Sequence, residues 1–229
     1  MAIISDVHSN LEAFREVMRW IDDAGIEEIL NAGDIVGYGP SPNRCVSVVK
    51  EYGMKCVMGN HDAAALTDSP GGFNPYAAEA IHYTYRKLDD KSVRFLSSLP
   101  SSLTLDVEDA RVCMFHGSPR DPINEYIFPS TPRDLLKHFL ESTGADLLIL
   151  GHTHVPMVVR FGKRVVLNPG GVGQPRDRDN RASLMLLRVD GDTIGVELKR
   201  IDYNIDKVAE KMIEENLPSF LAERLFHGV

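Results

Sequence analysis

The chain has 229 residues and a formal net charge of −8, with 43% hydrophobic and 25% charged residues. This composition is typical of a soluble globular protein, and the length suffices for a full hydrophobic core. The acidic balance argues against a broad nucleic-acid surface, which would be basic, although bound cations can still hold a nucleotide locally.

The three cysteines, Cys45, Cys56 and Cys113, form no CxxC pair and fall in helical or strand patterns. We interpret them as buried free thiols, which suits a reducing compartment. The chain enters its first strand pattern without the regions of a signal peptide, and no apolar run reaches transmembrane length. We therefore expect a cytoplasmic protein with no membrane partner.

Apolar strand-like runs and amphipathic helical patterns alternate up to about residue 150. The predicted strands cover residues 2–5, 28–32, 55–58, 111–115 and 146–150. Capping and proline signals predict helices that begin near Ser9, Pro42, Asn74 and Thr131 and end near Gly25, Tyr52, Leu99 and Gly144. The sequence Asp89-Asp90 predicts a break in the third helix. This alternation is the rhythm of βαβ units.

The pattern changes after residue 150. Strand-like runs cover residues 157–161, 164–167, 183–189 and 193–201, and helical segments follow Asn204. Gly162-Lys163, a glycine-rich loop and Asp190-Gly191 separate these runs, and the last pair is a strong hairpin signal. We predict one α/β domain over residues 1–229, a two-layer sandwich of mixed sheets flanked by helices.

Five polar motifs follow the first five predicted strands. They are Asp6-Val7-His8, Gly33-Asp34, Gly59-Asn60-His61-Asp62, His116-Gly117 and Gly151-His152-Thr153-His154. Because loops at the carboxyl ends of strands converge on a ligand in an open α/β sheet, we expect these side chains to meet. Packing alone does not explain so many polar motifs at strand ends.

The motifs combine oxygen and nitrogen donors, which suit Mn, Fe, Co, Ni or Zn better than calcium. A carboxylate such as Asp34 can bridge two ions, and two ions about 3.5–4 Å apart clamp a phosphoryl centre and supply a hydroxide nucleophile. His61 is predicted to lie at the rim as a general acid for the leaving alkoxide. The predicted metal ligands are Asp6, His8, Asp34, Asn60, His116, His152 and His154.

In their order, the five motifs resemble those of the calcineurin-like metallophosphoesterase superfamily, and residues 168–176 resemble the following stretch in small prokaryotic YfcE-like phosphodiesterases. The resemblance implies a four-layer αββα sandwich of two mixed β-sheets flanked by helices, with two divalent transition metals, manganese among the candidates, and His61 as the acid. It implies one ion held by Asp6, His8, Asp34 and His154 and a second held by Asp34, Asn60, His116 and His152.

Two positions depart from other branches of the superfamily. Protein serine/threonine phosphatases have an Asp and an Arg where this chain has Gly37 and Tyr38, and purple acid phosphatases have a metal-binding Tyr at the place of Gly37. The nucleases of the superfamily usually bring an extra domain. We therefore predict a metal-dependent phosphodiesterase. It should act on a small phosphate-ester substrate and prefer diesters to monoesters. The alternative enzyme is a nucleotidase or a dinucleoside polyphosphate hydrolase.

An alternative of another class is a metal-binding interaction scaffold of the same fold, as in a retromer subunit whose acid histidine is replaced. Because this chain keeps His61 and every predicted ligand, the enzyme is favoured. Asn10, Tyr38 and Arg176 are candidate substrate-binding residues. The glycine-rich segment 170–173 lacks GxGxxG spacing, so we interpret it as a tight turn that brings the backbone near the metals. We expect loops 66–73 and 119–130 to determine substrate identity.

Overall fold

The computed structural model describes residues 1–191 and 193–229. The strands are β1 Ala2–Ile4, β2 Ile29–Asn31, β3 Lys55–Cys56, β4 Ser102–Val107, β5 Ala110–Phe115, β6 Leu147–Ile149, β7 Met157–Phe161, β8 Arg164–Asn168, β9 Ala182–Asp190 and β10 Thr193–Ile201. The α-helices are α1 Leu11–Asp23, α2 Pro42–Glu51, α3 Asn60–Thr67, α4 Pro75–Lys87, α5 Asp90–Ser97, α6 Arg133–Thr143, α7 Ile205–Glu214 and α8 Ser219–Glu223, followed by a 3₁₀ turn, Arg224–Phe226.

The strands form two five-stranded mixed sheets, in the orders β10-β9-β1-β2-β3 and β4-β5-β6-β8-β7. In the first sheet, β1, β2 and β3 are parallel and are joined through α1 and α2, whereas β9 pairs antiparallel with β1. In the second sheet β5, β6 and β8 are parallel, with β4 and β7 antiparallel at the two edges. The parallel strands therefore present their carboxyl ends along one edge of each sheet.

Helices cover the outer face of each sheet, so the fold has four layers. Because side chains alternate along a strand, Ile3 of β1 contributes to the core between the sheets and its neighbour Ile4 to the core beneath the helices. The outer core of the second sheet joins Leu148 of β6 to Phe139 of α6. The predicted αββα sandwich of two mixed sheets is confirmed.

Most of the predicted elements are present. The break at Asp89-Asp90 separates α4 from α5, and the Asp89 carboxylate caps α5 by accepting the Ser92 N–H at 2.7 Å. The predicted hairpin joins β9 to β10, where Asp190 pairs with Thr193. Residue 192 lies outside the described residues. All three cysteines are buried free thiols, as predicted.

Two helix starts were wrongly predicted. Helix α1 is capped by Asn10, whose Oδ1 accepts the Ala13 N–H at 3.1 Å, and not by Ser9, which adopts a left-handed φ of 56°. Pro132 precedes α6 as its N-cap and is not its first helical residue. In both cases the helix begins one residue later than the signal suggested.

The sequence patterns did not predict α3 or β4. Helix α3 has only eight residues, and its apolar residues do not follow a clear helical period. Strand β4 is an edge strand whose half-buried Leu103 and Leu105 alternate with exposed residues. That period of two is the signal for a half-buried strand.

No helix within residues 1–191 and 193–229 has both the length and the apolar character needed to cross a bilayer. The assignment of residues 1–229 to one domain stays a prediction.

Candidate metal centre

All seven predicted ligands lie where the carboxyl ends of the two sheets meet. The first sheet contributes them from the loops after β1, β2 and β3, and the second from the loops after β5 and β6. Each of the seven residues is buried, from fully enclosed Asp6 and Asp34 to Asn60 at 8% exposure. The site therefore lies between the sheets and draws on both.

The loops turn sharply as they leave the strands. Five of the predicted ligands have positive φ values between 49° and 69°, which is uncommon for residues other than glycine. These residues are Asp6, His8, Asp34, His152 and His154. Left-handed backbone at non-glycine residues costs on the order of 1–3 kcal/mol each and persists where surrounding contacts enforce it. The turns aim consecutive polar side chains into one small volume.

Two imidazoles and one carboxylate form the first cluster. The Nε2 atoms of His8 and His154 lie 3.1 Å apart, and the His154 nitrogen lies 3.2 Å from Oδ1 of Asp6. His8 Nδ1 donates to the Val36 carbonyl oxygen at 3.1 Å, and His154 Nδ1 donates to that of Gln174 at 2.5 Å. Since a carbonyl only accepts, each neutral ring presents the lone pair of Nε2 to the cluster.

The second cluster has the same design. His116 Nδ1 donates to the Ala32 carbonyl at 2.8 Å, and His152 Nε2 donates to that of Asn124 at 3.1 Å. The remaining nitrogens, His116 Nε2 and His152 Nδ1, lie 3.1 Å apart, and Oδ1 of Asn60 is also 3.1 Å from His116 Nε2. Metal-binding histidines characteristically donate their other N–H to a carbonyl or carboxylate in this way.

Asp34 connects the two clusters. Its Oδ2 lies 3.5 Å from His8 Nε2 and 3.3 Å from His116 Nε2. Among the described residues, Asp34 Oδ2 and Asp6 Oδ1 are buried without a hydrogen-bond donor. Buried carboxylate oxygens are costly unless paired with a donor or a cation. These oxygens and the converging lone pairs fit divalent cations, and they provide the mixed O and N donors of transition-metal sites.

The charges of the carboxylates in the two clusters favour a positive charge between the imidazoles. Burial raises the pKa values of Asp6 and Asp34, but the surrounding imidazoles outweigh burial and hold both below the usual range. Burial also disfavours a charge on His116, yet Asp34 and Asp6 raise its pKa to about 9. Burial and the nearby His116 lower the pKa of His152 to about 4. The two carboxylates thus attract a cation to the cluster.

His61 lies beside both clusters, in the first turn of α3. Its ring is buried, and the ring centroid lies 4.7 Å from that of His8 and 4.8 Å from that of Phe73. The main-chain N–H of His61 donates to Asp34 Oδ1 at 2.9 Å. Its ring Nδ1 has no hydrogen-bond partner among the residues described. Burial, with Arg176 and the neighbouring imidazoles, holds the pKa of His61 well below its usual range, although Asp34 opposes this.

Two glycines permit backbone segments to approach these side chains. Gly37 has φ +101°, and a Cβ there would lie 2.5 Å from His61 Nδ1. The larger residues that other branches have at this position would displace that ring. A Cβ on Gly173 would lie 1.9 Å from the Val7 carbonyl oxygen. The interpretation of segment 170–173 as a tight turn near the ligand loops agrees with this contact.

The three candidate substrate-binding residues lie close to the clusters in different settings. Tyr38 is buried, with its ring 4.7 Å from that of His8, and its hydroxyl accepts a hydrogen bond from Arg176 Nη2 at 3.2 Å. Arg176 also donates to Gln174 Oε1. Asn10 caps α1 and donates to the Gly173 carbonyl at 2.8 Å, so both ends of its amide have protein partners. Roles in substrate binding stay predictions.

Asp62 is the last residue of the third motif, and the sequence alone indicated no role for it. Its Oδ1 accepts the Val36 N–H at 3.0 Å and its Oδ2 accepts the Gly59 N–H at 3.1 Å. It therefore joins the loop of Asp34 to the loop of Asn60. Burial and the charge of Asp34 raise the pKa of Asp62 to about 7. Its position two residues after Asn60, within the third motif, was the available signal.

Tyr126 was also missed. It stacks on the His152 ring with a centroid distance of 3.7 Å and an interplanar angle of 27°. Together with His61 and His152 it lines a cavity of about 390 Å³ that opens beside the clusters. Loop 119–130 was expected to influence substrate identity, but nothing in its sequence singled out this residue.

Comparisons with known proteins agree with this geometry. The calcineurin-like phosphoesterase superfamily domain matches residues 1–192. An uncharacterized protein of Methanocaldococcus jannaschii is 37% identical, covering 100% of this chain and 98% of its own length. The solved structure of a metallophosphoesterase from Sphaerobacter thermophilus is 36% identical with a TM-score of 0.82, covering 100% of both chains. Phosphodiesterase YfcE of Escherichia coli is 24% identical over 84% of this chain and 88% of its own.

Replacing Asp62 should destabilise the fold. Asp62→Ala leaves the buried N–H groups of Val36 and Gly59 without acceptors, which costs about 1–3 kcal/mol for each group. Urea unfolding followed by the fluorescence of Trp20, the one tryptophan, measures the free energy of unfolding. Asp106→Ala, at an exposed position on β4, is the control and should change it by at most about 0.5 kcal/mol. Equal effects of the two substitutions would contradict this role for Asp62.

Proposed function

The chain belongs to the calcineurin-like phosphoesterase superfamily, and on that premise we propose that it is a phosphodiesterase with a dinuclear divalent-metal centre. One observation carries the proposal. Four imidazoles donate one N–H each to a main-chain carbonyl and turn the other nitrogen toward two buried carboxylates, with Asp34 within reach of both clusters.

We assign one ion to each cluster. The first set of proposed ligands is Asp6, His8, Asp34 and His154, and the second is Asp34, Asn60, His116 and His152. Their mixture of oxygen and nitrogen donors suits Mn, Ni, Fe, Co or Zn. Bound divalent ions supply Lewis acidity toward phosphoryl oxygens and lower the pKa of water.

His61 is the proposed general acid. Its ring adjoins the clusters and lines the cavity beside them, so a ring N–H that faces this cavity can deliver a proton to the oxygen that leaves phosphorus. In the free protein, burial disfavours the charged ring. An anionic ester beside the ring favours its protonated form, which places the proton where the leaving group needs it. Tyr38 and Phe73 pack on the ring and fix its orientation.

The proposed preference for diesters follows from the small number of cationic side chains near the two clusters. Gly37 and Tyr38 stand where protein phosphatases have an Asp and an Arg. Arg176 is the nearby guanidinium, but its Nε and Nη2 already donate to Gln174, and Nη2 also donates to Tyr38. One remaining nitrogen suits the single charge of a diester better than the dianion of a monoester, which favours bidentate binding. The relative YfcE is named a phosphodiesterase.

A nucleotidase or dinucleoside polyphosphate hydrolase is the second candidate. The aromatic walls of the cavity beside His61 favour a substrate that carries a ring. A pure interaction scaffold is disfavoured, because His61 and the complete set of proposed ligands are present.

We expect two metal equivalents per chain after chelation and reconstitution with saturating Mn²⁺. Asp34→Ala should weaken both sites, because this carboxylate is shared, whereas His154→Ala should mainly empty one. His138→Ala, on the exposed face of α6, is the matched control and should keep two equivalents. Metal analysis of the four proteins measures this. A wild-type stoichiometry of zero or one would refute the dinuclear centre.

His61→Ala should lower kcat by about 10²–10⁴ for esters with poor leaving groups, since the alkoxide then leaves without a proton. For nitrophenyl esters the loss should be smaller, because nitrophenolate needs little protonation. Steady-state kinetics and metal analysis are compared with the wild type. Equal losses on both ester types would assign His61 to positioning, and lost metal would make it a ligand.

The wild-type enzyme should show a higher kcat/KM on bis(p-nitrophenyl) phosphate than on p-nitrophenyl phosphate at saturating Mn²⁺. The reason is the missing bidentate clamp at Gly37 and Tyr38. Arg176→Ala should lower kcat/KM on both esters without creating a monoester preference. A monoester preference of about tenfold or more in the wild type would defeat the proposed diester specificity.

A further inference from the structure

The cavity beside the clusters lies on the side of His61. His61 and His152 line it together with segments of the two loops that were expected to determine substrate identity. Its volume of about 390 Å³ falls in the range of small-molecule sites. If His61 protonates the leaving oxygen, the group bound to that oxygen must occupy this cavity.

Aromatic rings stand on the walls of the cavity. Phe73 packs edge-on against His61 at 4.8 Å, and Tyr126 stacks on His152 at 3.7 Å. Tyr126 also lies parallel to Phe128 at a centroid distance of 5.7 Å, but it remains 49% exposed, so part of its ring is open to a ligand. Exposed aromatic rings at the mouth of a site bind planar groups by stacking, which is worth about 1–3 kcal/mol per base.

The loop that carries Tyr126 is held in place before any ligand arrives. Arg120 forms a bidentate contact with Glu125, and Glu125 also accepts the hydroxyl of Ser118. The Asn124 carbonyl accepts the His152 N–H, which ties the loop to the cluster two residues before Tyr126. Less conformational entropy is therefore lost when a ring binds, because the wall is already ordered.

The rest of the lining is polar and uncharged. In the described part of the chain the cavity is lined by three asparagines, two glycines and three aromatic residues around the two histidines, without Lys, Arg, Asp or Glu. Asn124 Nδ2 donates to Asp121, and Asn74 Oδ1 caps α4, so each retains one amide atom for a ligand. This lining disfavours a second phosphate and suits a ring with hydrogen-bonding edges.

We propose that this cavity is a nucleoside subsite, in which the leaving group of the substrate stacks its base on Tyr126 and Phe73 and bonds to the amides of Asn74 and Asn124. The substrate class is then a phosphate ester of a nucleoside. This inference rests on the proposed function, since the phosphorus must lie at the metal centre for the base to reach the cavity.

The test measures binding, with probes that cannot be hydrolysed. The first probe is a singly charged mimic of an AMP diester, a methylphosphinate in which carbon replaces both ester oxygens, and the second is the same methylphosphinate of methyl riboside, which lacks the base. Calorimetry on the Mn²⁺-reconstituted protein should give a Kd about 10- to 100-fold lower for the adenosine probe. Equal Kd values, or no binding of either probe, would overturn the subsite.

Substitutions at Tyr126 test whether its ring is the one on which the base stacks. Tyr126→Ala should bring the ratio of the two Kd values close to one, whereas Tyr126→Phe, which keeps the ring, should preserve it. Tyr76→Ala is the matched control, because Tyr76 is an exposed aromatic residue two positions after Asn74 that stacks on Phe220 and does not line the cavity. If Tyr126→Ala left the ratio of the two Kd values unchanged, Tyr126 would not be the residue on which the base stacks. A benzyl methylphosphinate that bound as tightly as the adenosine probe would show a general aryl site and overturn the assignment to a base.

Turnover of bis(p-nitrophenyl) phosphate, measured on the same preparation, separates the two proposals. Turnover without a base preference would overturn the nucleoside subsite and leave the phosphodiesterase standing. A base preference in binding without any turnover would support the subsite and count against the proposed activity alone.

Discussion

Four main-chain carbonyl groups determine what this site can bind. Each accepts one N–H from an imidazole and so fixes which ring nitrogen turns inward. The carbonyls belong to Ala32, Val36, Asn124 and Gln174. The inward nitrogens and the oxygens of Asp6 and Asp34 are almost fully buried, and the two carboxylates raise the pKa of His116. Without a metal ion, a proton on His116 therefore balances part of the negative charge, and a bound cation can take its place.

The loops around the site hold one another in place through their main chains. The N–H of Asp6 donates to Gly33 at 3.0 Å, the N–H of Gly173 donates to Asp6 at 2.9 Å, and the N–H of His152 donates to an Asp6 carboxylate oxygen at 3.1 Å. The left-handed turns at the ligands survive because neighbouring loops enforce them. Asp62 adds the same kind of connection between the Asp34 and Asn60 loops.

The sequence predicted well what depends on local pattern. Alternating strands and helices, the break at Asp89-Asp90 and the polar motifs at strand ends follow from periodicity, capping and proline signals. It did not predict α3, because eight residues without a clear period give little signal, or the edge strand β4. The hydrogen bond between Asp62 and Val36 and the stacking of Tyr126 on His152 each join residues that are 26 apart along the chain, and no local pattern encodes them.

Strand β1 lies in the middle of its sheet, between β2 and β9, where Ala2 pairs with Leu186. During synthesis on the ribosome, β1 therefore cannot pair with β9 until most of the chain has been made. Such long-range pairing slows folding. The histidines after β6 also emerge more than a hundred residues after Asp6. A cation that needs side chains from both sheets can therefore bind fully only after both sheets have formed.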